Sequence, residues 1–383
     1  MRRLCGFVLS LSLAVGGWTG SAEASGALRL DEYLRQVLQA NHSLQAGIKS
    51  VEAAYYAVLS GVAGQRPQAA VSASGSWLSG QSSMGGKESN VTAGSLTLGL
   101  TQRIDISGSY SLDERQRILG YEEQRAQFDA NLNTLIATAE ETWWSAVLAR
   151  EYIALQKDIL RQRSENLRVT TEKFRQQLVP KLDVVRAEAQ VVEAESLVKE
   201  SETAYLNLLA NLSYIAGGME VVPMEETLHV PVFDVTPGIQ KALEARPDVR
   251  AARLAVERAR VVEKLKGKGM APTLDFGAQW TAWADPKLSA TPQDGEAMAS
   301  LRLSIPIVDG NRTKYDVLNA NRTVEAAEHS LVSLEEQTRR DLAVAMNAWK
   351  NASVAEMDKK RQVERAEEEL RITELMYSEG MGA

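Results

Sequence analysis

Three histidines, one cysteine and a scatter of carboxylates are the side chains from which this 383-residue chain would have to build a catalytic or metal site. They do not assemble one. His42, His229 and His329 lack the i, i+4 spacing that sets two imidazoles on one helical face. A lone Cys5 is too little for a disulfide framework or a thiolate cluster. Ser, Asp and His never fall into a nucleophile motif, and no glycine-rich loop ends in Gly-Lys-Ser/Thr to grip a triphosphate. The reading is a protein that is not an enzyme and needs no cofactor and no metal. With 43 Lys and Arg against 50 Asp and Glu, a net charge of -7, it also lacks the basic surplus that nucleic-acid binding needs. What remains is the chemistry of wetting. Ser95, Thr97 and Thr101 alternate with Leu96, Leu98 and Leu100, and Thr273, Asp275 and Gln279 alternate with Leu274, Phe276, Ala278 and Trp280. Side chains in that pattern hold water along one face of a strand and leave the other face greasy.

The elements that carry these residues occur twice. Leu38 to Ala46 lines up with Leu243 to Ala251 at an offset of 205, which also pairs Gly64 with Gly269 and Pro67 with Pro272, and Leu167-Arg168-Val169-Thr170 matches Leu370-Arg371-Ile372-Thr373 at an offset of 203. Each copy reads as helix, strand, strand, long helix. Residues 25–216 form the first repeat, with a helix from Leu30 to about Gln65, strands at about 69–82 and 92–105, a long helix at about 110–178 and a further helix at about 181–216. Residues 217–237, with Gly217-Gly218 and three prolines, read as a linker. Residues 238–383 form the second repeat, opening on a helix from Ile239 to about Lys268 with Pro247 in a first turn. Ala383 aligns with Pro180, so this repeat is expected to be incomplete at its C-terminal helix. The long helix would be on the order of 100 Å. Ala187, Val191, Ala194, Val198, Ser201, Tyr205, Leu208, Leu212 and Ile215 step by four and three along the next one, a coiled-coil seam. Trp143, Trp144 and Trp349 read as packing anchors on helices, while the basic run from Arg250 to Lys268 and the cluster Glu364, Glu367, Glu368 and Glu369 read as solvated faces.

Arg2 and Arg3, an apolar run from Leu4 to Val15 and the small-residue end Ala22-Glu23-Ala24 read as an export signal covering residues 1–24. No later stretch approaches the roughly 20 apolar residues of a spanning helix. A strand such as Thr273 to Trp283 has the length of a tilted bilayer-crossing β-strand. The competing reading is a half-buried sheet on a soluble core. Against it stand the export signal, the confinement of strands to two hairpins among very long helices, and Trp77, Trp280 and Trp283 near the hairpin tips, where an interfacial girdle belongs. Four strands close no barrel, since the smallest in membranes have about eight, so the chain must oligomerise.

The order and the repeats resemble the TolC-like outer-membrane efflux proteins across essentially all of the mature chain. Ile305-Pro306-Ile307-Val308-Asp309-Gly310-Asn311-Arg312 looks like the family's strand-to-helix segment, and Phe174 to Leu182-Asp183-Val184-Val185-Arg186-Ala187 like its periplasmic helical turn. The first-copy counterpart, Arg103-Ile104-Asp105-Ile106-Ser107-Gly108, keeps the glycine and lacks the proline. The resemblance implies a mainly α fold with a small membrane β part. Two tandem helix-strand-strand-helix repeats would give long antiparallel coiled-coil helices and four strands per chain of a trimeric 12-stranded β-barrel. It further implies an outer-membrane position with a periplasmic helical extension in a Gram-negative type of envelope. As partners it implies outer-membrane lipid, a periplasmic adaptor (membrane fusion) protein and an inner-membrane pump. The function implied is a passive exit duct of a tripartite efflux or secretion system, whose lumen Ser95, Thr97, Thr101, Thr273, Asp275 and Gln279 would line. Val179, Pro180, Lys181, Leu182 and Asp183, with Gly380, Met381 and Gly382 of the second copy, would form the periplasmic tip and adaptor contact. Asp183 has a second reading, as the N-cap of the helix that follows Pro180. The family's second-turn acidic constriction lies past Ala383 and is not assigned. The alternative function is a periplasmic coiled-coil adaptor or scaffold without a barrel, which would leave the four alternating runs without a role.

Overall fold

The structure is a computed structural model that describes residues 27–81, 88–224, 239–284 and 293–378. The export signal and Gly380, Met381 and Gly382 lie outside the described residues, as does most of the region between the repeats. In chain order the elements are β1 (Ala27–Leu28), α1 (Leu30–Ala40), α2 (His42–Ala63), β2 (Gln68–Gln81), β3 (Glu88–Ile104), α3 (Ser109–Arg175), α4 (Lys181–Ile215), β4 (Val222–Pro223), α5 (Ile239–Ala245), α6 (Pro247–Lys266), β5 (Thr273–Ala284), β6 (Gln293–Ser304) and α7 (Arg312–Ser378). They fall into two compact units, the first drawn from 27–46 and 132–224, the second from 47–131 and 239–378.

In the first unit the core is a cluster of Tyr33 and Val37 from α1, Ala139, Trp143 and Ala146 from α3, and Leu212 and Ile215 from α4, closed by Ala216 and Val221. Trp143 is fully buried and stacks on Tyr33 with ring centroids 5.0 Å apart. Trp144 packs against this cluster, so both are anchors; Trp349, read in the same way from sequence, stays 39% exposed. Burial pushes the pKa of the Tyr33 hydroxyl up. Every predicted seam position of α4 is buried or half-buried, and the buried Ser201 hydroxyl is satisfied by the Leu197 carbonyl at 2.6 Å. Val222 and Pro223, inside the predicted linker, form a short parallel ladder with Ala27 and Leu28, and Arg150 clamps the Pro223 carbonyl at 3.0 Å.

The first helix is not continuous. It breaks at Asn41, which is 5% exposed, accepts the Leu44 amide at 2.8 Å and donates to the Ile215 carbonyl at 2.8 Å. One side chain thus caps α2 and ties it to the end of α4. Gly217 makes this junction possible: its φ is +78°, and a Cβ there would run into the Ala40 carbonyl. The counterpart in the second repeat breaks at Arg246, with Pro247 opening α6 and Asp248 held by the Arg246 guanidinium. Both expected single helices are therefore pairs.

The second unit holds one antiparallel sheet in the order β2-β3-β5-β6 together with α6 and α7 and the adjoining parts of α2 and α3. β3 starts at Glu88, earlier than predicted, because the β2–β3 ladder runs unbroken to Gln81 opposite Glu88. The basic run is exposed as predicted, and three of its members also pair with neighbouring helices: Arg253 meets Glu335 at 3.1 Å, Arg258 meets Glu123 at 2.9 Å and Arg260 meets Glu328 at 2.6 Å. Glu364, Glu367, Glu368 and Glu369 are exposed as predicted.

Each hairpin hands over to a long helix through an aspartate. Asp105 accepts the amides of Ser107, Ser109 and Tyr110 at 3.1, 3.1 and 2.7 Å; Asp309 accepts those of Asn311 and Thr313 at 3.0 and 2.8 Å. The same offsets of two and four residues recur, and Gly108, Gly310 and Asn311 take positive φ to make the turn. Partial burial opposes the charge on Asp105, but the donated hydrogen bonds outweigh it and hold the carboxyl below its ordinary value. A depressed native value means that this contribution is present above the ordinary carboxylate range and is lost as pH falls through the native value. Replacement Asp105→Ala is expected to cost about 1 kcal/mol, as loss of an N-terminal helix cap does, and to flatten the acid limb of stability. Melts of the helical circular dichroism signal between neutral and acid pH check both; an unchanged midpoint at neutral pH would remove the cap.

Candidate functional site: a two-faced sheet and a helical turn

The register of the sheet decides which side chains share a face. In β3 and β5 it sets Thr97 opposite Thr281, Gly99 opposite Gln279, Thr101 opposite Gly277 and Arg103 opposite Asp275. Directly paired residues point to the same side. Extending the rows outwards adds Gln68, Ser72 and Ser74 from β2, and Ser300, Arg302 and Ser304 from β6. All six residues predicted to wet the sheet, Ser95, Thr97, Thr101, Thr273, Asp275 and Gln279, lie on this one face. The opposite face carries Val71 and Ala73, then Leu96, Leu98, Leu100 and Ile104, then Leu274, Phe276, Ala278 and Trp280, then Leu301 and Leu303. The alternation has exceptions. Met298 sits on the polar face beside Gln279, and Gln102 sits on the apolar face, where its amide is tied to the Gln65 carbonyl at 3.0 Å.

Neither face of the sheet is covered by a core, as the apolar face of a water-soluble sheet would be. The apolar side is left uncovered, with Leu98 51% exposed, Val71 67% and Leu301 66%; on the polar side Thr101, Gln279 and Ser300 are exposed while Ser95 and Thr97 are half-buried. Polar side chains pair with one another: Ser74 and Ser95 hydroxyls at 2.8 Å, Thr97 and Thr281 hydroxyls at 3.2 Å, and the Arg103 guanidinium with the Asp275 carboxylate at 2.8 Å. On the apolar face the Trp280 indole lies over the backbone of Gly295, filling the space a Cβ would need. Neither β2 nor β6 has an outer partner among the described residues, so both edges of the sheet are open.

The residues expected to line a lumen did not include Arg103 or Arg302. The signal was available, because the parity that selects Ser95 also selects Arg103, and the alternation with Leu301 and Leu303 sets Arg302 beside Ser300 and Ser304.

The second candidate region is the turn between α3 and α4. α3 ends in a C-terminal turn in which the Leu178 amide reaches the Lys173 carbonyl at 2.9 Å, with Gln177 in left-handed backbone at φ +59°. Pro180 is the N-cap of α4, Lys181 and Leu182 open it, and Asp183 is its third residue. The reading of Asp183 as N-cap is therefore corrected: proline in extended backbone takes that place, and the Asp183 carboxylate faces Arg186 at 3.8 Å. Its negative charge in the first turn still suits the helix dipole. Phe174, Leu178, Leu182 and Val185 leave the turn with exposed apolar side chains, Val179 is half-buried and Lys181 exposed. Among the described residues no cluster of His, Cys, Asp and Glu is arranged for a metal ion, and no helix is long and apolar enough to cross a membrane.

Comparison with known proteins agrees with this geometry. The chain is 24% identical over 384 aligned positions to nodulation protein T of Rhizobium leguminosarum bv. viciae, covering 96% of this chain and 76% of that one. Its fold matches a membrane protein from Pseudomonas aeruginosa with a TM-score of 0.80 at 17% identity, covering 92% of this chain and 84% of the other. It also matches the open state of the Neisseria gonorrhoeae MtrE outer membrane channel with a TM-score of 0.77 at 21% identity, covering 93% and 81%. The model of the outer membrane efflux protein family matches residues 33–218 and 238–383, the greater part of both repeats. The chain thus belongs to the outer membrane efflux protein family and is a TolC-like outer-membrane protein with a mainly helical periplasmic part.

Proposed function

We propose that three copies of this chain pool their sheets into one closed 12-stranded barrel and act as the passive exit duct of a tripartite efflux or secretion system. The observation that carries the reading is the sheet itself, greasy and exposed on one side, wet on the other, and open at both edges. Each unpaired backbone group at an edge costs several kcal/mol in hydrocarbon, so a lone sheet cannot stay in lipid. Four strands is an even number. Strand direction therefore still alternates where β6 of one copy meets β2 of the next, and the ring closes antiparallel throughout. The wet face then becomes the lumen, lined by Ser95, Thr97, Thr101, Thr273, Asp275 and Gln279, and Val71, Leu98 and Leu301 meet lipid. A soluble adaptor or scaffold offers no explanation for an apolar strand face left uncovered.

The helices continue the duct on the periplasmic side. The turn formed by Val179, Pro180, Lys181, Leu182 and Asp183 is the tip that meets a periplasmic adaptor, which in turn meets the inner-membrane pump. Exposed Leu178 and Leu182 flanking a rigid Pro180 cap suit a protein contact better than solvent.

Purified protein in lipid bilayers is expected to conduct ions as a trimer; an intact trimer that stays silent under every gating condition would overturn the duct. The two faces of β3 should differ sharply. Leu98→Arg puts a charge into lipid at a cost of roughly 2–4 kcal/mol near the midplane and should reduce trimer in outer-membrane fractions, whereas Thr97→Arg, on the wet face, should leave assembly intact. Equal loss from both would refute the assignment of faces. At the tip, Leu182→Asp should lower export from cells while leaving conductance of the purified trimer unchanged, and parallel loss of both would point to misfolding.

A further inference from the structure

We propose that Arg302 sets the charge preference of the duct, as one member of a ring of guanidinium groups at the foot of the barrel that favours anionic cargo. The inference rests on the duct reading above and concerns only what the wet face selects.

Charge on that face is concentrated in one row. Arg103, Asp275 and Arg302 stand abreast on β3, β5 and β6, because Arg103 pairs with Asp275 and Asp275 pairs in turn with Arg302. The Asp275 carboxylate is taken by Arg103 at 2.8 Å. No ion pair joins Arg302 to it among the described residues, and Arg302 is exposed. One carboxylate therefore stands between two guanidinium groups, engaged by one of them. The rows on either side are uncharged: Thr101, Gly277 and Ser300 on one, Thr273 and Ser304 on the other. Glu296, on the same face, is six positions away along β6, roughly 20 Å by the rise of a strand and beyond a Debye length at physiological salt. Asp105 and Asp309 lie past the strand ends, and their oxygens are committed to the amides that open α3 and α7. Arg302 is thus the cation on this face without an ion-pair partner among the described residues.

Position makes the charge count. The row is one step inside the ends of β5 and β6, where cargo would pass from helices to strands, and closure into a trimer repeats it three times around the passage. A guanidinium offers several donors in a planar fork suited to carboxylate, phosphate or sulfonate groups, and a solvated one holds them weakly enough to release them. The chemistry singles out solutes bearing such a group over cationic ones of the same size.

The test is the reversal potential of single trimers in a potassium chloride gradient, with the change from wild type as the readout, since charges elsewhere along the duct set the baseline. Screened over one Debye length near 0.1 M salt, a unit charge about 10 Å away alters local ion concentration by about 1.3-fold, and the three of a ring, acting oppositely on chloride and potassium, alter their ratio by roughly fivefold. Arg302→Ser is expected to lower the chloride-to-potassium permeability ratio by about fivefold near 0.1 M salt, Arg302→Lys to keep the wild-type ratio, and the difference to vanish near 1 M, where the Debye length is about 3 Å. Should Arg302→Ser assemble poorly, Arg302→Cys reacted in the assembled channel gives the same comparison, with a cationic thiol reagent restoring the ratio and an anionic one lowering it further. A conducting Arg302→Ser or reagent-modified trimer with the wild-type ratio at low salt overturns the inference and leaves the duct standing; a wild-type trimer that does not conduct overturns the duct instead.

Discussion

Backbone hydrogen bonding in a solvent that offers none is the constraint from which the rest of this architecture follows. A strand pair satisfies its amides and carbonyls only along the shared edge, and the four-stranded sheet β2-β3-β5-β6 leaves a full strand edge open on each side. In water those groups would be solvated and the exposed leucines of β3 would be the liability. In lipid the leucines are at home and the edges become intolerable. No single environment suits both features of one isolated chain, whereas a ring of copies in a bilayer suits both.

The same constraint explains the abruptness with which the fold changes character. Strands must run the full thickness of the bilayer, and beyond it the backbone returns to water, where helices hold their own hydrogen bonds. The conversion happens within a few residues of Ile104 and Ser304, and it needs a device that supplies acceptors for the amides at the start of a very long helix. Asp105 and Asp309 are that device in both repeats, each reaching two and four residues ahead. The glycines beside them, and Asn311, supply the left-handed backbone that turns the chain.

How much of this was legible in the sequence depended on whether the signal was periodic. A two-residue alternation gave away all four strands and which residues share a face, since parity alone puts Ser95 with Thr101 and Thr273 with Gln279. A steady four-three step gave away the buried seam of α4 down to Ala194 and Ser201. Non-periodic signals were harder. Asn41 looks like an ordinary helix residue, and only the meeting of its amide with the Ile215 carbonyl, a contact of long sequence separation, makes it a break. Asp183 has the composition of a cap after Pro180, but the extended backbone of Pro180 takes that place instead. The basic run on α6 has the composition of a solvated face, yet which arginines reach Glu123, Glu328 or Glu335 is fixed by helix packing and not by composition. Likewise the pairing of Arg103 with Asp275 needs the register between strands from different repeats, which no local pattern encodes.

The makeup of the wet face bears on why a duct would be built from serine, threonine and glycine and not from a cluster of stronger ligands. A wall that bound cargo tightly would stop it, because conduction requires contacts weak enough to be left behind. Here some of the hydroxyls answer one another, Ser74 with Ser95 and Thr97 with Thr281, and the wall presents weak, solvated dipoles. Small side chains also keep the passage open, and Gly99 and Gly277 add none at all. Hydroxyl pairs across strands contribute to sheet stability as well, so one choice of residue types serves both the wall and the lumen. At the helix end of this face charge is confined to the row at Asp275, where in the proposed duct a few fixed charges would act on everything that enters.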